Sequence, residues 1–500
     1  MTWNNGGRLL AIGIDAAEPT LVRKLIEQGR MPTLERLLRD GKWMKVESSA
    51  RIGSGSVWPT FMSGQGPGVH GVYGEWVWHA ETMDLSRYRG SNVAPFWKRL
   101  AEGGVSVGVL DVPFMPMVGL SDGFEISEWG PHDLVEYEPQ IGPARVADLI
   151  AKQPPHPLSV NPSASGPHDY KNLQKLSDAC LQGIKLRGAL ARSLLTETRP
   201  QLSLIAFTEI HHSAHYLWHT VEPEHQVYRT DQFANLNNTR HPLDDIYGEV
   251  DRQIGELMKA VSDETAVMVF SLHGMQPAHG VPAFLAPLLC EMGFARFANW
   301  NSQGWPDRSR AFVAELKSRS PKWLKKLYYR ILSPTVTHRL ALTTMLPLYD
   351  WNHTQAFALP TDQHGWIRIN LIGREARGIV PAECYDETCN ILEKALRDST
   401  TEDGRPLVRE VIRTAYRVED ALAQRIPDLV VHWDDAVFAS PLRIKGSAIR
   451  TEADGKKFVG QHSDDGFCIL KAPLNFGEQE ILSAENMHLL ITHLVTGNAA

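Results

Sequence analysis

Four places in the sequence pair a reactive residue type with a position that could use it. His211 and His215 stand four apart just past the apolar run SLIAFT (203–208), so one helical turn puts both imidazoles on one face, as a zinc site requires. With 20 histidines in 500 residues such a spacing arises about once by chance, so its place behind a strand distinguishes it. His273 closely follows AVMVFS (266–271) and precedes Gly274, which allows a tight turn and the close approach of a metal or ligand; a hydrogen-bonded loop histidine is the plain alternative. Asp15 ends LLAIGI (9–14), where a carboxylate can ligate a metal or cap the next helix. Residues 51–64, RIGSGSVWPTFMSG, set serines ahead of an apolar helical stretch, a setting for a nucleophile, for a bound anion or for an ordinary N-cap.

The elements that must hold these residues are legible as alternating runs. Continuous apolar strands are expected at 9–14, 105–112, 203–208 and 266–271, and helices at 20–40, 93–103, 171–196 and 242–260. Unbroken apolar strands separated by helices predict an α/β fold with a central, mostly parallel sheet sandwiched by helices, whose chemistry gathers at the C-terminal strand ends. Between 284 and 350 the pattern becomes helical and basic, with Arg308, Arg310, Lys317, Arg319, Lys322, Lys325, Lys326 and Arg330. We read an inserted helical cap, either a solvated face or a surface that draws an anionic substrate toward the site. WIRINL (366–371), a helix near 382–397, VREVIRTAY (408–416), DLVVHW (428–433) and a final helix at 485–497 return the chain to sheet and helix. The expected division is therefore 1–283 core, 284–350 cap and 351–500 core.

Composition narrows the class. Hydrophobic residues at 43% and charged residues at 22% exclude disordered, collagen-like and coiled-coil chains. A net charge of -7 gives no reason to expect binding to a nucleic acid polymer or an acidic membrane. The five cysteines form no CxxC pair and are expected as free thiols. No basic leader with a long apolar stretch and no membrane-length segment is present, so a cytoplasmic setting is expected.

Five ordered blocks carry a resemblance: GIDAAEPTLVRKLIEQGRMPTLERLLRDG, SGSVWPTFMSGQGPGVHGV, LIAFTEIHHSAHYLWH, FSLHGM and GQHSDDGF. Together they resemble the alkaline phosphatase superfamily, nearest the type I phosphodiesterase and nucleotide pyrophosphatase branch. The resemblance implies a metal-dependent hydrolase of phosphate esters with two divalent ions, usually zinc, about 4 Å apart, and a Thr or Ser nucleophile. Counting ten residues back from Gly64 in the block resembling (T/S)G-x-x-P-x-x-HG makes Ser54 the nucleophile, with Ser56 as fallback. Asp15 matches the first-strand aspartate, His215 the histidine of D-x-x-x-H, His273 that of D-H-G, and His462 the late metal histidine.

Two positions depart from the pattern: His211 and Leu272 stand where the family has aspartates. The first metal position becomes His211, His215 and His462, a neutral set similar to mononuclear zinc sites with an open fourth position, and it would also suit iron, cobalt or nickel. The second keeps Asp15, Ser54 and His273, and with one carboxylate left it should hold an ion weakly or not at all. Glu209, His212 and His279 are nearby groups that could substitute. The chain therefore reads as a phosphodiesterase with Ser54 as nucleophile, with two alternatives: a one-metal, three-histidine enzyme of altered chemistry, or a non-catalytic relative that binds an anionic ligand. A sulfatase would need a C/S-x-P-x-R block, which the Ser54 segment lacks. The expected partner is a small anionic substrate, selected by the cap and by loops such as WGPHD (129–133).

Overall fold

The computed structural model describes residues 6–88, 93–130, 132, 139–160, 170–222, 242–278, 284–298, 345–360, 363–434, 437, 442–451, 458–472 and 480–497. His279, Asp133 and every basic residue named for the cap lie outside them; of the expected cap, the helix Leu285–Glu291 is described. The chain divides into two units, one of residues 1–70, 89–278 and 455–500, the other of residues 71–88 and 279–454.

The first unit is built on a nine-stranded sheet. Its middle is a block of five parallel strands in the order Ala266–Ser271, Leu9–Ile14, Leu202–Phe207, Val107–Leu110 and Gly123–Ser127. Every residue of these five strands is buried, because helices cover both faces. On one face Leu10, Ile12 and Ile14 pack with side chains of Pro19–Glu27, Pro32–Asp40, Tyr170–Thr198 and Pro242–Met258. On the other, Trp58 and Phe61 of the helix Val57–Ser63 meet Phe270, with ring centroids 6.0 and 5.1 Å away. Three strands follow Ala266–Ser271 outward: Asp465–Lys471 and Lys42–Glu47, both antiparallel to their inner neighbours, and Ile481–Ser483; Gln140–Gly142 closes the opposite edge.

The α/β expectation holds, with two corrections. The single helix expected at 20–40 is two helices, Pro19–Glu27 and Pro32–Asp40, because Gly29 turns the chain at φ +70° and Pro32 can only start a helix. The return to the core, expected at 351, comes at 455. Ala356–Leu359, Gly365–Ile369, Leu429–Trp433 and Val408–Arg413 pair antiparallel with one another in a four-stranded sheet of the second unit instead of extending the parallel one. That unit has its own buried ion network, with Arg374 on Asp428 at 2.6 Å and Arg368 on Glu375 at 2.7 Å. All five cysteines are free thiols. Among the described residues no helix is long and apolar enough to cross a membrane.

Candidate metal centre

The five parallel strands end on one edge, and nearly every polar residue of interest follows one of those ends. After Leu9–Ile14 comes Asp15, 1% exposed, with Ala16 turning the chain away at φ +60°. Its Oδ1 accepts a hydrogen bond of 2.8 Å from the Trp58 indole. Trp58 gets there because position 13 is glycine: a Cβ on Gly13 would lie 2.7 Å from the indole ring. Asp15 is surrounded by imidazoles, with His211 Nδ1 3.0 Å and His132 Nε2 3.4 Å from Oδ2, and His273 Nε2 3.4 Å from Oδ1. Burial alone would raise its pKa, but His211 and then the other two imidazoles hold the carboxyl well below the ordinary aspartate range.

The helix Glu209–Leu217 follows the strand Leu202–Phe207 and carries His211 and His215 one turn apart, as their spacing predicts. Their Nε2 atoms are 3.0 Å apart, and His462 Nε2 lies 2.9 Å from that of His211. His462 arrives on a two-stranded ribbon, Gly274–Pro277 with Gly460–Ser463, in register with Met275. Glu18 pins this ribbon, accepting from Ser463 Oγ at 2.7 Å and from the Met275 N–H at 3.0 Å. A Cβ at Gly274 would collide with that carboxylate at 2.0 Å, which explains the glycine after His273.

Hydrogen bonding alone does not account for the triad. The Gly460 carbonyl, 2.9 Å from His215 Nδ1, can only accept, so Nδ1 carries the hydrogen and Nε2 of the neutral ring a lone pair. A ring nitrogen offers one hydrogen or one lone pair in its plane, so His211 Nε2 can satisfy one of its two imidazole neighbours. Donor nitrogens on a tetrahedral zinc sit about 3.3 Å apart, close to the spacings here. Burial, followed by the neighbouring imidazoles, keeps His215 and His462 well below the ordinary histidine range and so neutral. The donor set fits a divalent cation.

The structure thus gathers Asp15, His211, His215, His273 and His462. Ser54 is buried and opens the turn Ser54–Ser56, four residues ahead of Trp58 in the chain. Ser56 is fully buried, and its hydroxyl donates to the Gly53 carbonyl at 2.7 Å, bracing the turn. Leu272 is buried and brings no ligand. Glu209 is committed elsewhere, accepting from Arg187 Nε at 2.9 Å and facing His156 Nε2 at 3.0 Å. Burial would raise its pKa, but the Arg187 guanidinium and the His156 imidazole together outweigh burial and hold the carboxyl at about 2. His212 stacks on His211 with centroids 5.6 Å apart.

One residue of the cluster was missed in the sequence. His132 belongs to the WGPHD loop, read there only as a specificity loop. The loop follows the strand Gly123–Ser127, and the short run GFEIS was the signal that would have marked it as another strand end.

A family model of type I phosphodiesterase / nucleotide pyrophosphatase matches residues 9–462. The chain belongs to this family. The match includes every residue of the cluster, from Asp15 to His462. Among solved structures, this family member is similar to phosphonoacetate hydrolase from Sinorhizobium meliloti 1021 in complex with phosphonoformate, with 13% identity, 98% of this chain and 96% of that one covered, and a TM-score of 0.49. It is also similar to an inactive murine ectonucleotide pyrophosphatase / phosphodiesterase 5 in complex with AMP, with 10% identity, 99% and 96% covered, and a TM-score of 0.45. No curated protein matches.

Proposed function

We propose that this family member is a metal-dependent hydrolase of phosphate esters, of the phosphodiesterase or nucleotide pyrophosphatase type, with Ser54 as nucleophile. The observation that carries the reading is the convergence of three imidazole Nε2 atoms beside a buried, ionised carboxylate. His211, His215 and His462 would hold one ion, and Asp15 would anchor a second. Bound there, divalent cations supply Lewis acidity toward a phosphoryl oxygen and make a nearby hydroxyl a better nucleophile. Ser54 Oγ forms the bond to phosphorus as the leaving alkoxide departs in line, and water then cleaves the phosphoserine. Asp15 balances cationic charge, while the Trp58 indole keeps its carboxylate from rotating. Zinc, a cytoplasmic setting and a small anionic substrate belong to the same proposal.

Elemental analysis of protein purified without chelator, together with hydrolysis of bis-p-nitrophenyl phosphate with and without added metal, tests it. Metal-dependent turnover that Ser54→Ala abolishes supports the proposal; bound metal with no turnover sinks it. The replacement of both aspartates by His211 and Leu272 favours a second reading, a one-metal enzyme of different chemistry. That reading, of non-phosphoryl chemistry, predicts one ion and no turnover of the phosphodiester.

A further inference from the structure

Two polar atoms in this cluster are buried without a well-formed hydrogen bond among the described residues: Asp15 Oδ2 and His211 Nδ1. They face each other at 3.0 Å, and His132 Nε2 stands 3.4 Å from the same oxygen. The imidazoles stabilise this buried oxygen by charge without a well-formed hydrogen bond to it, and a cation between the three groups would bind all of them at once. The remaining nitrogen of His211, Nε2, already faces His215 and His462.

His132 is held in place by buried structure. The loop leaves its strand through Glu128 at φ +59°, whose carboxylate accepts the His132 backbone N–H at 3.1 Å. The Trp129 and Gly130 N–H groups donate to Asp111 at 2.9 and 2.8 Å, and Arg187, fully buried, locks Asp111 in turn. The imidazole lies between Phe114, with centroids 4.8 Å apart, and His211, at 5.0 Å.

We propose that Asp15, His132 and Nδ1 of His211 form a second divalent-cation position, so that His211 is shared, turning Nε2 to one ion and Nδ1 to the other. The ligand absent at Leu272 is thereby supplied from a different strand end, the loop after Gly123–Ser127. Two imidazole nitrogens and one carboxylate oxygen suit zinc, cobalt or copper. With both positions filled, the His211 ring would link the two ions as an imidazolate, its one N–H proton passing to solvent.

The inference rests on the metal-dependent reading of the site but is tested by binding alone. Metal-free full-length protein is titrated with Zn(II) by calorimetry, and bound metal is counted by elemental analysis. Wild type should take up two ions per chain, His132→Ala one and His211→Ala neither tightly. Cu(II)-loaded wild type gives a check that needs no variant: coupling through the shared ring should leave its paramagnetic resonance signal well below that of two independent coppers. Two ions in His132→Ala, two uncoupled coppers in wild type, or one ion in an active wild type would each overturn this inference while leaving the hydrolase reading intact. No bound metal at all would overturn both.

Discussion

Trp58 carries more of the site than its place in an apolar helix suggests, because its indole is the donor that orients Asp15. Trp58→Phe keeps the ring packing and removes that bond; metal affinity measured by calorimetry should fall about 10–100-fold, as for other partners that orient a ligand. Gly13→Ala should destabilise the fold by about 1–3 kcal/mol in denaturant unfolding, because its methyl would overlap the same indole, 2.7 Å away. At this scale the sequence was informative where a residue closely follows an apolar run, as Asp15 and His273 do. For His132 it offered only the short run GFEIS, because that loop is anchored by Asp111 and Arg187, partners outside the loop. For the same reason Glu209 looked like a spare ligand until Arg187, on the preceding long helix, was seen to occupy it.

Parallel strands explain why so many functional groups share one edge, and the helix Tyr170–Thr198 explains how two of those ends are braced. Arg187 reaches from it to Glu209 and Asp111, with the larger effect on Glu209: that carboxyl is held at about 2, whereas burial keeps Asp111 above its ordinary range. Removing one partner of such a buried pair is costly, so Glu209→Gln should destabilise the protein by about 3–5 kcal/mol near neutral pH. Because the folded-state pKa of Glu209 is depressed, its contribution is complete above the ordinary value of 4.5 and is lost as pH falls toward about 2. The stability difference between wild type and Glu209→Gln, followed by denaturant unfolding, should therefore shrink across that interval. The long apolar strands and their helices were readable from periodicity. Lys42–Glu47 was not, since it mixes buried and exposed positions at the sheet's outer side, and the ribbon carrying His462 owes its place to Glu18.

For the whole molecule, α/β architecture followed from run lengths, but the point of return to the core did not. Strands at 356–433 look like those of the main sheet, and only their pairing with one another assigns them to a separate unit. Metal binding should be visible globally: a ligand at about 100 times its dissociation constant adds about 2.7 kcal/mol, so Zn(II) should raise the thermal midpoint of wild type and a chelator should reverse it. His215→Ala should lose most of that rise. The three-histidine set draws on positions 211, 215 and 462, the last on a ribbon strand that pairs back to Gly274–Pro277. During synthesis the other two histidines leave the ribosome some 250 residues earlier than His462. A nascent or truncated chain therefore cannot close the triad, and tight coordination there certifies that translation has passed His462 and that the late ribbon has docked.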